Sequence, residues 1–195
     1  MEAQASAESA VRHREQRRER IVRTAAVLVA RGGVDAMQMR SVAERSGVAL
    51  GTLYRYFPSK MDLVAAVAAE EVDRMEGGIA RTPSTAPTPA GRAVDVLMRA
   101  TRWLMREPEL ADALVRSLLT AEGGPGRRVC DLVRRAAGEP GRGGPADREE
   151  PGQVLAGALA SVWVLELVGV LRGRRDPDGV ERRLRTVAER LFAPS

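Results

Sequence analysis

Apolar residues in this chain recur with the 3.6-residue period of a helix from one end to the other, and no segment alternates with the two-residue period of a strand. Ile21, Ala25, Leu28 and Val29 make the first such face; Val180, Leu184, Val187 and Leu191 make the last. Between them Gly and Pro punctuate the pattern at helix-length intervals. A chain patterned in this way folds as an all-α protein, with about nine helices by the number of punctuated segments. There is no internal repeat.

The punctuation also suggests a domain order. Residues 1–10 are small and polar and read as a disordered tail. A helix over Val11–Arg31 stops at Gly32-Gly33. Residues 11–60 form one unit, and residues 61–195 a second, larger one. Pro58-Ser59-Lys60, at the end of the first unit, starts a helix that runs into the second with Leu63, Val64, Val67 and Met75 on its apolar stripe, ending at Gly77-Gly78. RTPSTAPTPAG, from Arg81 to Gly91, reads as a hinge separating the N-terminal unit from the rest. Helices over Pro89–Arg106, around Leu110–Leu118 and around Val129–Ala136 follow, then a Gly/Pro-rich exposed loop from Gly138 to Pro151. Gln153–Arg172 is apolar on most sides, so it must be buried on more than one, against its own domain and against a second subunit.

Ala36–Lys60, AMQMRSVAERSGVALGTLYRYFPSK, is the stretch that carries function. It reads as a helix, a turn at Gly47 and a second short helix. Tyr54, Tyr56 and Phe57 are three of the chain's six aromatic residues, and Lys60 is its only lysine. Val42 and Val48 supply core contacts, Ala43 is small where two helices cross, and Leu53 and Phe57 anchor the second helix. That leaves Ala49, Leu50, Gly51 and Thr52 projecting outward, the end that enters the major groove in helix-turn-helix proteins. Thr52 can hydrogen-bond a base edge or a phosphate; Arg40 can reach a guanine or a phosphate.

Charge supports this placement. Residues 10–60 hold eleven basic and four acidic side chains, a net of +7, against +5 for the whole chain. A basic N-terminal unit on a near-neutral body points to a polyanion partner for that unit. The arginine face of the first helix, with Arg17 and Arg18, is either a solvated face or a phosphate contact.

The string from Val42 to Lys60, VAERSGVALGTLYRYFPSK, resembles the TetR family of bacterial transcription regulators. The resemblance implies an N-terminal helix-turn-helix domain and a C-terminal helical domain for ligand binding and dimerisation. It implies DNA contacts from Thr52, Tyr54, Tyr56 and Lys60; Gln38 stands where the family often has Thr or Ser. Over residues 15–75 the likeness narrows to the actinobacterial repressors of steroid and lipid catabolism, which are released by a steroid acyl-CoA thioester. The implied partners are double-stranded DNA with a palindromic operator, a second copy of the chain and a hydrophobic effector, an acyl-CoA or a steroid. Met98, Trp103, Met105, Leu114, Leu118 and Trp163 are the candidate lining of a ligand cavity.

Other classes fare poorly. There is one histidine, His13, and one cysteine, Cys130. No nucleophile triad, metal-ligand spacing or phosphate loop is present, so neither an enzyme, a metal nor a cofactor is expected. The run Ala158–Leu171 is read as too short to span a bilayer and is broken by Glu166, which fits a cytoplasmic chain without membrane partners. The alternative function is a constitutive DNA-binding protein that senses no small molecule. A ligand-sized cavity in the C-terminal half would separate the two.

Overall fold

In a computed structural model of the chain, the described residues are 2–120, 124–138 and 151–193. Among them are nine α-helices and no strand. The helices are α1 (Glu2–Ala36), α2 (Met39–Ser46), α3 (Leu50–Tyr56), α4 (Lys60–Ala80), α5 (Pro89–Leu104), α6 (Pro108–Thr120), α7 (Gly124–Ala137), α8 (Pro151–Leu171) and α9 (Pro177–Leu191).

Helix starts follow local capping chemistry. Ser59 and Asp62 form a reciprocal capping box at the start of α4: the Ser59 hydroxyl accepts from the Asp62 N–H at 3.1 Å, and the Asp62 carboxylate accepts from the Ser59 N–H at 2.9 Å. Thr88 caps α5 and Asp176 caps α9, each followed by a proline at the helix start, where the missing N–H costs nothing. The backbone N–H of Gly179 holds the exposed Asp176 carboxyl below the usual aspartate range.

Two cores organise the bundle. The first gathers Ile21, Val22, Ala25 and Val29 of α1, Val42 and Ala43 of α2, Leu53 and Phe57, and Leu63, Val64, Ala66 and Val67 of α4. The second joins Ala68, Val72, Met75 and Ile79 of α4 to the buried faces of α5–α9. α6 contributes to both, Leu110 and Ala113 to the first, Ala111, Leu114 and Val115 to the second. The packing boundary therefore runs through α4, between Val67 and Ala68. The segment 81–91 connects α4 to α5, two helices of one core, and does not separate the two units.

Several boundaries differ from those read in the sequence. α1 is helical from Glu2, so the segment expected as a tail continues the helix. At its other end Gly33, at φ 73° and ψ 174°, interrupts the helical backbone, as the glycine pair suggests. Gly77-Gly78 does not end α4. A methyl at position 78 would sit 3.3 Å from Cζ3 of Trp103, so this glycine lets the indole lie against the helix. Of the expected Gly/Pro-rich loop, residues 139–150 lie outside the described residues.

α8 has 21 residues and a mean hydropathy of 2.2 over its most apolar window, so by length and composition it is sufficient to cross a bilayer. The reading of this run as too short is corrected; counting only Ala158–Leu171 leaves out the first two turns. Here α8 packs against α6, α7 and α9. Its buried Glu166 is paired with Arg175 Nε at 3.3 Å and Arg183 at 3.5 Å, both from the α9 side. A buried carboxylate needs such partners. Gly169 makes the pairing possible, because a methyl there would collide with the Arg175 side chain as it folds back over α8.

Gly169→Ala is therefore expected to detach Arg175 from Glu166 and lower the urea midpoint of unfolding. Gly77→Ala is expected to raise the midpoint, adding about 0.5–1 kcal/mol of stability, since a methyl at 77 meets nothing within 4 Å and alanine costs less backbone entropy in a helix. Opposite signs for the two substitutions in urea denaturation check the packing assigned to each helix.

Candidate nucleic-acid interface

The turn between α2 and α3 is set by backbone chemistry. Gly47 is left-handed, φ 68° and ψ 37°. The Val48 N–H donates to the Ala43 carbonyl at 3.0 Å and the Gly47 N–H to the Glu44 carbonyl at 3.3 Å, the paired bonds of a Schellman termination. α3 then leaves α2 at a fixed angle. Leu53 is fully buried and Phe57 nearly so, and they pin α3 to α1 and α4. Val42 and Ala43 are buried as expected, while Val48 is half-buried against the same core.

With that face buried, the other faces outward. Ala49, Leu50, Gly51, Tyr54 and Arg55 are exposed, and Thr52 and Tyr56 are half-buried. Leu50 and Tyr54, 39% and 45% exposed, put apolar and aromatic surface on the outward face of α3. Gln38 is exposed at the N-cap of α2, where its side chain makes no capping bond. Arg40 is exposed and pairs with Glu44 at 3.2 Å, one turn along the same helix. Exposed pairs of this kind are worth only a few tenths of a kcal/mol, so the guanidinium can exchange its partner for a phosphate at little cost. Lys60 donates from Nζ to the Asp35 carbonyl at 3.2 Å, tying the start of α4 to the end of α1. The structure thus brings Gln38, Arg40, Ala49, Leu50, Gly51, Thr52, Tyr54, Tyr56 and Lys60 onto α2, α3 and the first residue of α4.

Arg20 carries no signal in the sequence. Its Nε donates to the Ser46 carbonyl at 2.9 Å, at the end of α2, where a cation satisfies a free carbonyl. It is 26 residues from its partner, and only the tertiary fold reveals the pairing. Arg18 lies over the Phe57 ring, 5.5 Å from its centroid. Together they clamp α1 onto the helix pair.

In the C-terminal half, a cavity of about 610 Å³ opens between α4, α5 and α7. Ile79, Val96, Leu132 and Ala136 give it apolar walls; Arg92, Arg128 and Arg135 stand with Asp73 and Glu76 around it. Arg128 reaches Asp73 at 2.5 Å and Glu76 at 2.8 Å, and Arg135 reaches Glu76 at 3.6 Å, so ion pairs join α7 to α4. Arg92 donates to the Ala136 and Ala137 carbonyls at the end of α7.

The six residues expected to line a cavity are placed otherwise. Leu114 and Trp163 are fully buried and Met98 nearly so, Trp163 donating to the Thr101 hydroxyl at 2.9 Å. Trp103 donates to the buried Glu71 carboxylate at 2.7 Å, and Met105 is half-buried beside it in the same core. Leu118 lines a separate apolar groove with Val129, Cys130 and Val164. Burial pushes the Cys130 thiol up, which makes it a poor thiolate. None of the six borders the cavity between α4, α5 and α7. Its lining comes from four separate segments and leaves no periodic trace in the sequence.

Residues 21–67 match the family model described as "Bacterial regulatory proteins, tetR family". That match ends at Val67, the last α4 residue of the first core. The chain is 35% identical over 179 residues to the HTH-type transcriptional repressor KstR of Rhodococcus jostii, covering 91% of this chain and 83% of that protein. It is 32% identical over 171 residues to KstR of Mycobacterium tuberculosis, covering 87% and 77%. A crystal structure of a TetR transcriptional regulator from Rhodococcus sp. RHA1 superposes with a TM-score of 0.77 at 31% identity, over 92% of this chain and 96% of the other. At 18% identity the fold is shared with Thermus thermophilus FadR in complex with lauroyl-CoA, TM-score 0.67, over 91% and 96%. With a helix-turn-helix anchored as α2 and α3 are, and with relatives this similar over nearly its whole length, the chain belongs to the TetR family of bacterial transcriptional regulators.

Proposed function

We propose that this regulator is a homodimeric repressor that leaves its operator when a hydrophobic effector enters the C-terminal half. The observation that carries the proposal is the cavity against α4, because α4 continues from that cavity into the core that holds α3. Its volume of about 610 Å³ falls in the range of small-molecule sites. The apolar walls suit a hydrocarbon body, and the three arginines suit an anionic head. The repressors named KstR, and the accommodation of lauroyl-CoA by the FadR fold, favour an acyl-CoA or steroid acyl thioester. An effector longer than the cavity would press on the core behind it, where Met98, Leu114 and Trp163 are packed.

An anionic head that takes Arg128 competes with Asp73 and Glu76 and loosens α7 from α4. The effector then favours an α4 orientation in which the two recognition helices of the dimer no longer match successive major grooves, roughly 34–36 Å apart. The alternative, a constitutive DNA-binding protein, leaves this cavity without a role.

On DNA, the contacts are Thr52, Tyr54, Tyr56 and Lys60, with Ala49, Leu50 and Gly51 letting α3 approach the base edges and Gln38 and Arg40 on the flanking backbone. Tyr56→Phe and Lys60→Ala are each expected to weaken operator binding by about 1.5–3 kcal/mol, the worth of a hydrogen bond to a charged group. Effector binding and dimerisation should stay intact. Fluorescence anisotropy with the chain's own promoter measures this; wild-type affinity in both variants refutes the contact assignment.

The dimer would form on α8 and α9. Val154, Ala158, Ser161 and Leu165 recur on one exposed stripe of α8, with Leu165 68% and Val154 50% exposed. Leu165→Glu should give a monomer by sedimentation and reduce operator affinity by more than tenfold.

The effector is tested by titrating acyl-CoAs and steroid acyl thioesters into the operator complex. Release of DNA by one of them, with a shallower response in Arg128→Ala, is the expected result. Stable complexes with every candidate, together with unchanged DNA binding when Val96→Trp fills the cavity, favour the constitutive alternative.

A further inference from the structure

Residues 81–88 cross from α4 to α5 without one buried side chain, so apolar burial does not hold this segment down. Its backbone carbonyls do. Arg99 donates from Nη1 to the Thr82 carbonyl and from Nη2 to the Ile79 carbonyl at 3.3 Å, fixing where the segment leaves α4. Arg92 donates from Nη1 to the Pro87 carbonyl at 3.3 Å and the Ala86 carbonyl at 3.5 Å, near where the segment enters α5. Pro83 and Pro87 fix φ along it and stiffen the backbone. Pro83 and Ser84 form part of the cavity wall between α4, α5 and α7. The segment is a stiff strap along one rim of that cavity.

A second rim is the end of α7, with Arg135, Ala136 and Gly138. The same Arg92 reaches it, donating from Nε to the Ala136 carbonyl at 2.9 Å and from Nη2 to the Ala137 carbonyl at 3.0 Å. One planar guanidinium fork therefore holds both rims, with two carbonyls on each. Among the described residues Arg92 makes no ion pair, whereas Arg128 and Arg135 at the same cavity are paired with Asp73 and Glu76. The negative end of α7 serves as its counter-charge. Bonds from a half-buried side chain to neutral carbonyls exchange with water at little net cost.

We infer that the strap and the end of α7 form the mouth of the cavity and that Arg92 is the latch across it, an inference that rests on that cavity's being the effector site. The ligand enters when Arg92 releases the strap, and the re-formed bonds retain it. Arg92 thus has a part distinct from that of Arg128: Arg128 meets the anionic head of the bound ligand, and Arg92 sets how fast the ligand comes and goes. A latch closed in the free and the bound protein alike raises the barrier between them and leaves their difference unchanged.

The test uses the full chain and anilinonaphthalene sulfonate, a probe with an apolar body and one anionic group that brightens in apolar surroundings. The part of its signal that Val96→Trp abolishes reports the cavity. Stopped-flow mixing gives association and dissociation rates for wild type, Arg92→Ala, Arg92→Lys and Pro83→Gly/Pro87→Gly. In all three variants both rates should rise together by about fivefold, the worth of one net hydrogen bond, with affinity within about twofold of wild type. Lysine keeps the charge but cannot span both rims, so it should behave as alanine does. The proline pair is exposed and its replacement keeps every carbonyl that Arg92 and Arg99 bind. A circular-dichroism melt checks folding, and if the arginine variants melt early the proline variant decides by the same criterion. Faster dissociation with unchanged association in Arg92→Ala, restored by lysine, overturns the inference and makes Arg92 a ligand contact. Wild-type rates in all three variants overturn it and place the mouth elsewhere. A wild-type signal that Val96→Trp leaves untouched overturns the cavity as a binding site, and the latch with it.

Discussion

The long helix α4 divides its buried face between the two cores, and the rest of the structure depends on its staying straight. Leu63, Val64, Ala66 and Val67 of α4 are buried with the recognition pair, and Ala68, Val72, Met75 and Ile79 are buried with the C-terminal bundle. Fully burying a Val, Leu, Ile or Met side chain is worth about 1.5–3 kcal/mol. Unpacking either half would therefore forfeit several kcal/mol, a large share of a domain's total stability. Bending α4 in the middle is also disfavoured, since it holds no proline and its glycine pair, Gly77-Gly78, lies near its far end. α4 therefore joins the two halves as one continuous, straight-packed element.

Both ends of α4 are fastened. At the start, the Ser59–Asp62 box and the bond from Lys60 to the Asp35 carbonyl fix it to the DNA-facing unit. At the far end, Arg128 holds Asp73 and Glu76, and the Trp103 indole donates to Glu71 and lies over Gly78. The second fastening is made of exchangeable ion pairs beside a cavity; the first is made of caps and buried apolar contacts.

Much of this is legible from residues alone. The α2–turn–α3 unit is readable because its determinants are local: Gly47 at the left-handed position, Leu53 and Phe57 one turn apart, and Ser59 with Asp62 at the next helix start. The cavity is not legible. Met98, Leu114 and Trp163 are large, apolar and periodic, which is equally the signature of plain core, and core is where they lie. The side chains that border the space include Arg92, Arg128, Glu76 and Ala136, ordinary surface types drawn from four segments. Glu166, ambiguous as a lone acid in an apolar helix, is explained by Arg175 and Arg183, which approach it across the turn into α9.

By itself the sequence determined the helical class, the position of the DNA-facing pair and the sign of its charge, because periodicity, caps and a left-handed glycine act over a few residues. Only the tertiary structure decided where one core gives way to the other, which residues surround the cavity, and that Arg92 ties the segment before α5 to the end of α7. Those features arise from contacts between segments distant in the chain. No local period or spacing records which distant faces meet.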